Sequence, residues 1–173
     1  GQALPTIELQ IKSEAGDLCA ADEVGLVYVR GEQVGGEYKG AGSQLDAEGW
    51  FPTKDVGFVD SGGYLFLDGR ADDVIVRGGE NISPGEVEDI LLTHDAVKDV
   101  AVVAVSDEQW GEAVGVALVC HGAAPEEAEI CALVKSKLRS SRVPSKIIFV
   151  DQLPYNETGK LLRRVVRDDL AKA

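Results

Sequence analysis

The sequence predicts an α+β chain: a small all-β unit over residues 1–68, then a compact α/β unit over 73–173 whose sheet is flanked by helices. Three observations carry this expectation. Up to residue 68 the apolar residues come in short alternating runs between glycines; at 69–73 the pattern changes to apolar runs that alternate with helical periodicity; and helix-start chemistry stands at 83–86. Ile7, Leu9 and Ile11 alternate as in a half-buried strand, as do Val27 and Val29, and Phe58-Val59 and Tyr64 to Leu67 supply two more. The glycine-rich stretch from Gly31 to Gly49 has few apolar residues and is expected to be a long surface loop.

In the second unit Val74 to Val76 is a strand. Ser83 then stands as an N-cap, with Pro84 at the first helical position and Glu86 three residues after the cap, the pattern of a capping box; Val87, Ile90 and Leu91 share one face. Residues 97–105 and 113–119 are strand-like. Residues 125–138 carry Ile130, Leu133, Val134 and Leu138 at helical spacing, 146–150 is a short strand, and 161–170 a final amphipathic helix. The expected order is ββαββαβα, with the boundary between units at 68–73.

Composition narrows the function. Seventeen Lys and Arg against 30 Asp and Glu give a net charge of −13, which argues against nucleic acid or an anionic membrane as an electrostatic partner. Only residues 137–173 are net positive, and an anionic ligand would be sought there first. Cys19, Cys120 and Cys131 form no CxxC pair, and with only His94 and His121 no metal-ligand spacing arises; they are expected to be reduced, mostly buried thiols of a cytoplasmic protein. No apolar run is long enough for a transmembrane segment, and no signal-peptide pattern is present. A chain that starts at Gly1 and contains no Met is expected to be a fragment of something larger.

Three polar, glycine-rich segments stand between these elements: Gly49 to Asp55, Gly69 to Ile82, and Leu153 to Lys160. Singly, each has the residues of an ordinary turn. Together, the run 49–55, Gly-Arg-x-Asp at 69–72, Gly-Gly-Glu-Asn-Ile-Ser-Pro-x-Glu-Val-Glu at 78–88, Asp107-Glu108-x-Trp110-Gly111-Glu112, Arg142-Val143-Pro144, and Leu153-Pro154 through Thr158-Gly159-Lys160 resemble, in order, the C-terminal end of the adenylate-forming enzymes. Among these, the Gly-Gly-Glu-Asn and Trp-Gly-Glu forms look most like fatty-acid and related acyl-CoA ligases.

The resemblance implies a two-step reaction: a carboxylate attacks the α-phosphate of ATP to give acyl-adenylate and pyrophosphate, then the CoA thiol attacks the acyl carbonyl and AMP leaves. It implies that 1–68 is the last β subdomain of a large N-terminal domain, 69–72 a hinge and 73–173 the C-terminal domain. Lys160 matches the mobile cation of the first step, Asp55 the acceptor of both ribose hydroxyls, and Arg70 the contact to the ribose and phosphate. Asp72 matches the hinge residue, and Gly78, Gly79, Glu80 and Asn81 the loop that approaches the pantetheine arm. Simpler readings stand beside these: a solvated Lys160, a salt bridge from Arg70 to Asp68 or Asp72, a plain hairpin turn at 78–79, and helix capping alone for Ser83 and Glu86. Arg139, Arg142, Lys146, Arg163, Arg164 and Arg167 are candidates to border the CoA phosphates, while Trp50 and Trp110 are expected to pack.

One departure is visible: the family usually has Thr-Gly-Asp where this chain has Thr53-Lys54-Asp55, and a positive φ at that position would be costly for lysine. The resemblance places the phosphate loop, acyl pocket, adenine platform and Mg²⁺-binding glutamate in an N-terminal portion outside these 173 residues, so the chain alone is not expected to turn over. Two alternatives remain open at this point: an adenylation domain that loads a carrier protein, and a noncatalytic interaction module of the same fold.

Overall fold

A computed structural model describes residues 1–35, 37–38 and 42–173, with the backbone alone at 37, 38 and 42. It divides into two compact units, Gly1–Asp72 and Asp73–Ala173. The first is built on an antiparallel four-stranded sheet of order β1-β2-β5-β6, where β1 is Glu8–Lys12, β2 Gly25–Arg30, β5 Phe51–Val59 and β6 Leu65–Arg70. Of the loop expected over 31–49, residues 36 and 39–41 lie outside the described residues; Glu37–Tyr38 (β3) and Gly42–Ser43 (β4) pair as two very short strands. The core of this unit is small: among the described residues its buried apolar side chains are Ile11, Val27 and Trp50. Trp50 packs as expected, with the Arg30 guanidinium 4.4 Å from its ring centroid.

The second unit has the order ββαββαβα. Ile75–Arg77 (β7) and Glu80–Ile82 (β8) form a hairpin, followed by Pro84–Leu91 (α1), Val97–Asp107 (β9), Gly111–Cys120 (β10), Glu127–Lys137 (α2), Lys146–Phe149 (β11) and Arg163–Lys172 (α3). β10 pairs along its length with β9, runs parallel to β11, and meets β7 at Gly111 and Arg77. The near-continuous apolar runs of β9 and β10 are explained by burial on both faces. Val100, Val102, Val114, Val116 and Leu118 pack with Val87 and Leu91 of α1 and Ile130 and Val134 of α2. Ala101, Val103, Ala117 and Val119 pack with Val166 and Leu170 of α3 on the other side.

The capping box at 83–86 does not form. Ser83 has the extended backbone of an N-cap but makes no side-chain cap hydrogen bond, and the Glu86 carboxylate lies 3.3 Å from Arg142 Nε instead of turning back to the cap. A guanidinium offers a charge-assisted partner that a backbone N–H does not match. The cysteines are free and only partly buried, rather than mostly buried. No helix of the described residues is long and apolar enough to cross a membrane, and no group of His, Cys, Asp and Glu among them is assembled to hold a metal ion.

Candidate functional site

The run 49–55 is not a turn throughout. The turn is Asp46–Gly49, where Asp46 Oδ1 accepts the N–H groups of Glu48 and Trp50 and Gly49 has φ 82°. Phe51 onward belongs to β5. There the register against β2 shifts between Leu26 and Tyr28, which pair with Val56 and Pro52, so that Thr53, Lys54 and Asp55 bulge opposite Val27. Thr53 Oγ1 holds the bulge by donating to the Val27 carbonyl at 2.9 Å and accepting the Asp55 N–H at 3.1 Å. Lys54 sits at φ 65°, the left-handed region in which a glycine is unstrained; for lysine it costs about 1–2 kcal/mol.

The bulge places Asp55 directly opposite Arg70 across the β5–β6 ladder. Arg70 Nη1 lies 3.4 Å from Asp55 Oδ1 and Nη2 lies 3.6 Å from Asp72 Oδ2, while Lys54 Nζ lies 3.4 Å from the same Asp72 oxygen. Asp55, Arg70 and Asp72 are thus brought into one cluster, joined by Lys54. Arg70 has both the salt bridge to Asp72 expected of the simpler reading and the contact to Asp55. These pairs are exposed enough that each contributes only about 0.2–1 kcal/mol, so their carboxylates and guanidinium remain available to a ligand.

In the second unit, Gly78 and Gly79 are the two-residue turn of the β7–β8 hairpin, with φ 58° and 84°, as a type I′ connection demands. Gly78 is required a second time: a Cβ there would stand 2.7 Å from Trp110 Cε3, and its N–H donates to the Trp110 carbonyl at 2.9 Å. Glu112 Oε2 accepts the Val76 N–H at 2.7 Å. On the other side, Arg77 Nη1 donates to the Ser141 carbonyl at 2.8 Å, and Arg142 Nη1 donates to Glu80. The Arg142 hydrogen bond holds the Glu80 carboxyl below the usual glutamate range.

Lys160 ends a loop closed by one side chain. Asn156 Oδ1 accepts the Thr158 N–H at 3.0 Å, the Thr158 hydroxyl at 2.8 Å and the Lys160 N–H at 2.8 Å, and Gly159 takes φ 77°. The Lys160 ammonium has no partner among the described residues and is exposed. Just after it, Arg163 is pinned: Nη1 donates to Glu88 Oε1 and to the Val102 carbonyl, both at 2.6 Å, Nη2 donates to Glu88 Oε2 at 3.1 Å, and Nε lies 3.3 Å from Asp73. Tyr155 Oη donates to Asp99 at 2.9 Å, and burial first, then this bond, pushes the phenol above its ordinary value. The lysine loop is therefore held at both ends, and the exposed Lys160 ammonium, unpaired among the described residues, is presented from it.

The basic tail is largely spent internally. Arg142 engages Glu80 and Glu86, Arg139 lies 3.6 Å from Glu80, Arg163 serves Glu88 and Asp73, and Arg164 lies 3.6 Å from Asp168. Lys146 and Arg167 are the two of the six that enter no ion pair among the described residues. The roles of Arg142 and Arg163 were not visible beforehand, because their acidic partners lie 56 to 90 positions away.

Residues 86–160 match the family of the AMP-binding enzyme C-terminal domain. Across almost its whole length the chain is similar to 2-succinylbenzoate–CoA ligases. It is 40% identical to that of Geobacillus kaustophilus over 172 residues, covering 96% of this chain and 35% of the relative, and 36% identical to that of Bacillus subtilis, covering 97% and 35%. Among solved structures, ATP-bound MatB from Rhodopseudomonas palustris superposes with a TM-score of 0.92 at 31% identity over 98% of this chain and 35% of that one. The o-succinylbenzoate CoA synthetase of Bacillus subtilis, in complex with its acyl-adenylate intermediate, gives 0.85 at 34% identity over 97% and 35%. The chain belongs to the adenylate-forming enzymes and corresponds to their C-terminal part, carrying the AMP-binding enzyme C-terminal domain. It spans about a third of the length of the curated relatives it matches. The fatty-acyl substrate suggested by the Gly-Gly-Glu-Asn form finds no support in these relatives.

Proposed function

We propose that this chain is the C-terminal part of an ATP-dependent acid–CoA ligase, which joins a carboxylate to AMP and then passes the acyl group to the thiol of CoA. The first half-reaction brings an anionic carboxylate to an anionic phosphate, and a cation placed between them stabilises the transition state. Lys160 is that cation. Asp55, an acceptor-only group, takes hydrogen bonds from the two ribose hydroxyls, and Arg70 faces the ribose and phosphate. The second half-reaction uses the other face of the C-terminal domain: the chain turns about Asp72, the hinge between residues 1–68 and 73–173, and the Gly78–Asn81 turn meets the acceptor. Single residues at element ends commonly absorb such rotations.

The observation that carries this reading is Lys160. Asn156 holds its backbone in a closed loop while its ammonium stays unpaired among the described residues, in a chain 40% identical to a CoA ligase. A lysine held only for solubility would not need the loop around it. The relatives make 2-succinylbenzoate the first carboxylate to try.

The test is made on the adenylate-forming protein that carries this chain. ATP–pyrophosphate exchange is measured with 2-succinylbenzoate and with fatty acids, and discharge of the adenylate with free CoA and with a carrier protein. Lys160→Ala is expected to slow adenylate formation by about 10²–10³-fold, the usual cost of one preorganised charge contact, and to leave thioester formation from supplied acyl-adenylate nearly unchanged. Equal losses in both half-reactions, or none in the first, would remove Lys160 from the chemistry.

A further inference from the structure

The ligase reading assigns the Gly78–Asn81 turn to the second half-reaction but leaves open what fixes that turn in place. Two adjacent glycines with positive φ set the turn geometry, yet they are also the residues with most backbone freedom to lose. The hairpin itself is short, three residues on each strand, and two-stranded ribbons of that size are not stable alone. Its position must come from elsewhere in the unit.

Besides the Trp110 carbonyl, Glu112 and the pairing with β10 described above, a tie comes from the turn at Ser140–Arg142, more than 55 residues away in sequence. Arg142 is the most enclosed member of that contact, with 13% of its side chain exposed. Its Nη1 donates to Glu80 at the start of β8, its Nε lies 3.3 Å from Glu86 at the start of α1, and Nη1 also donates to Ser141 Oγ at 2.8 Å. Arg77, the last residue of β7, donates from its guanidinium to the Ser141 carbonyl. Both residues that flank the Gly-Gly turn are therefore fastened to one 3₁₀ turn, and the helix that follows the hairpin is fastened to it as well.

We infer that Arg142 is a positioning residue for the acceptor half-reaction: it clamps the Gly78–Asn81 turn, through Glu80 and Glu86, in the geometry that receives the thiol. This rests on the ligase reading above. The planar guanidinium suits the task because one rigid fork serves two carboxylates on different elements, which a lysine ammonium does less well. Among the described residues Arg142 makes no hydrogen bond or ion pair to the Lys160 loop, which is held by Asn156, Tyr155 and Arg163. The two half-reactions should therefore respond differently to its loss.

The experiment compares Arg142→Ala and Arg142→Lys with the unaltered enzyme in both half-reactions, using ATP–pyrophosphate exchange for the first and thioester formation from supplied acyl-adenylate and CoA for the second. Displacement of a reacting group by an ångström costs about 10²-fold in rate. Thioester formation by Arg142→Ala is expected to fall roughly 10- to 100-fold, with adenylate formation within about twofold of the unaltered enzyme and partial recovery in Arg142→Lys. Hydrogen exchange supplies a readout independent of activity: amides of 75–82 should exchange faster in Arg142→Ala while those of β9 and β10 keep their protection. An unchanged thioester step, equal losses in both steps, or unchanged exchange at the hairpin overturns the clamp while the ligase reading stands. An unaltered enzyme that forms adenylate with no carboxylate overturns the ligase reading and the clamp's role with it.

Discussion

Arg163→Met should loosen the second unit and leave the first untouched, and the size of the effect follows from what the guanidinium leaves behind. Its side chain is 23% exposed and that of Glu88 16%, so the pair is mostly but not wholly withdrawn from water. Removing one partner from a fully buried ion pair costs about 3–5 kcal/mol, because a charge is stranded. Here Glu88 keeps the Val102 N–H at 2.8 Å, and some water reaches both groups, which lowers the figure to about 2–4 kcal/mol. Hydrogen exchange on the whole chain is the assay. The amides of β9 and β10, which report opening of the second unit, should lose protection by roughly 30- to 1,000-fold, since each 1.4 kcal/mol is a factor of ten. Those of β5 and β6 should not change. The double variant Arg163→Met, Glu88→Met supplies the decisive comparison. Replacing both charges with apolar groups of similar length removes the stranded carboxylate but also the acceptor of the Val102 N–H, and should restore part of the loss. If the double variant is no better protected than Arg163→Met, the stranded charge is not the cause; if β5 and β6 lose protection equally, Arg163 is not confined to the unit in which its partners lie.

Two further expectations are smaller in scale. Gly78→Ala should destabilise the second unit by about 1–2 kcal/mol for the left-handed backbone alone, and should change Trp110 emission because the new Cβ meets the ring at 2.7 Å; unfolding in urea and fluorescence check both. Glu80 holds its proton less tightly when folded, so its pairing adds stability above the ordinary glutamate value of about 4.3 and loses it as pH falls through the lowered value. An NMR titration of the Glu80 carboxyl should give a midpoint below that value, moving back toward it in Arg142→Ala, with Ser141 and Arg139 still holding part of the shift.

The elements were legible because their signals are local: period-two apolar runs for the strands, Pro84 at a helix start, and runs apolar on both faces for β9 and β10. The six motif blocks were legible for the same reason, as was the cost latent in Lys54. What local sequence could not supply was pairing across long separations. Arg142 and Arg163 counted as positive charge available to a ligand, since nothing near them in sequence says that Glu80, Glu86 and Glu88 fold beside them. Glu86 failed as a capping residue for that reason, its carboxylate being claimed from 56 positions away.

Lys54 shows how the local and the distant combine. Its φ of 65° is imposed by the register shift between β2 and β5, and the strain is offset in part by the two hydrogen bonds of Thr53 Oγ1 and by the ion pair to Asp72. That pair lies at the junction of the units. Asp72 is held within the first unit by Lys54 and Arg70, and Asp73 within the second by Arg163. On the hinge reading proposed above, the backbone around 72–73, between two adjacent carboxylates each tied to its own unit, is the place where a reorientation would be taken up. The ties are unequal: the Asp72 and Lys54 side chains are 51% and 61% exposed, whereas Asp73 and Arg163 are 26% and 23% exposed. Exposed pairs are exchanged for water at little cost, so a hinge at this junction would release Asp72 and keep Asp73, and Lys54, where the resemblance places a glycine, would add one exposed ion pair to what holds Asp72.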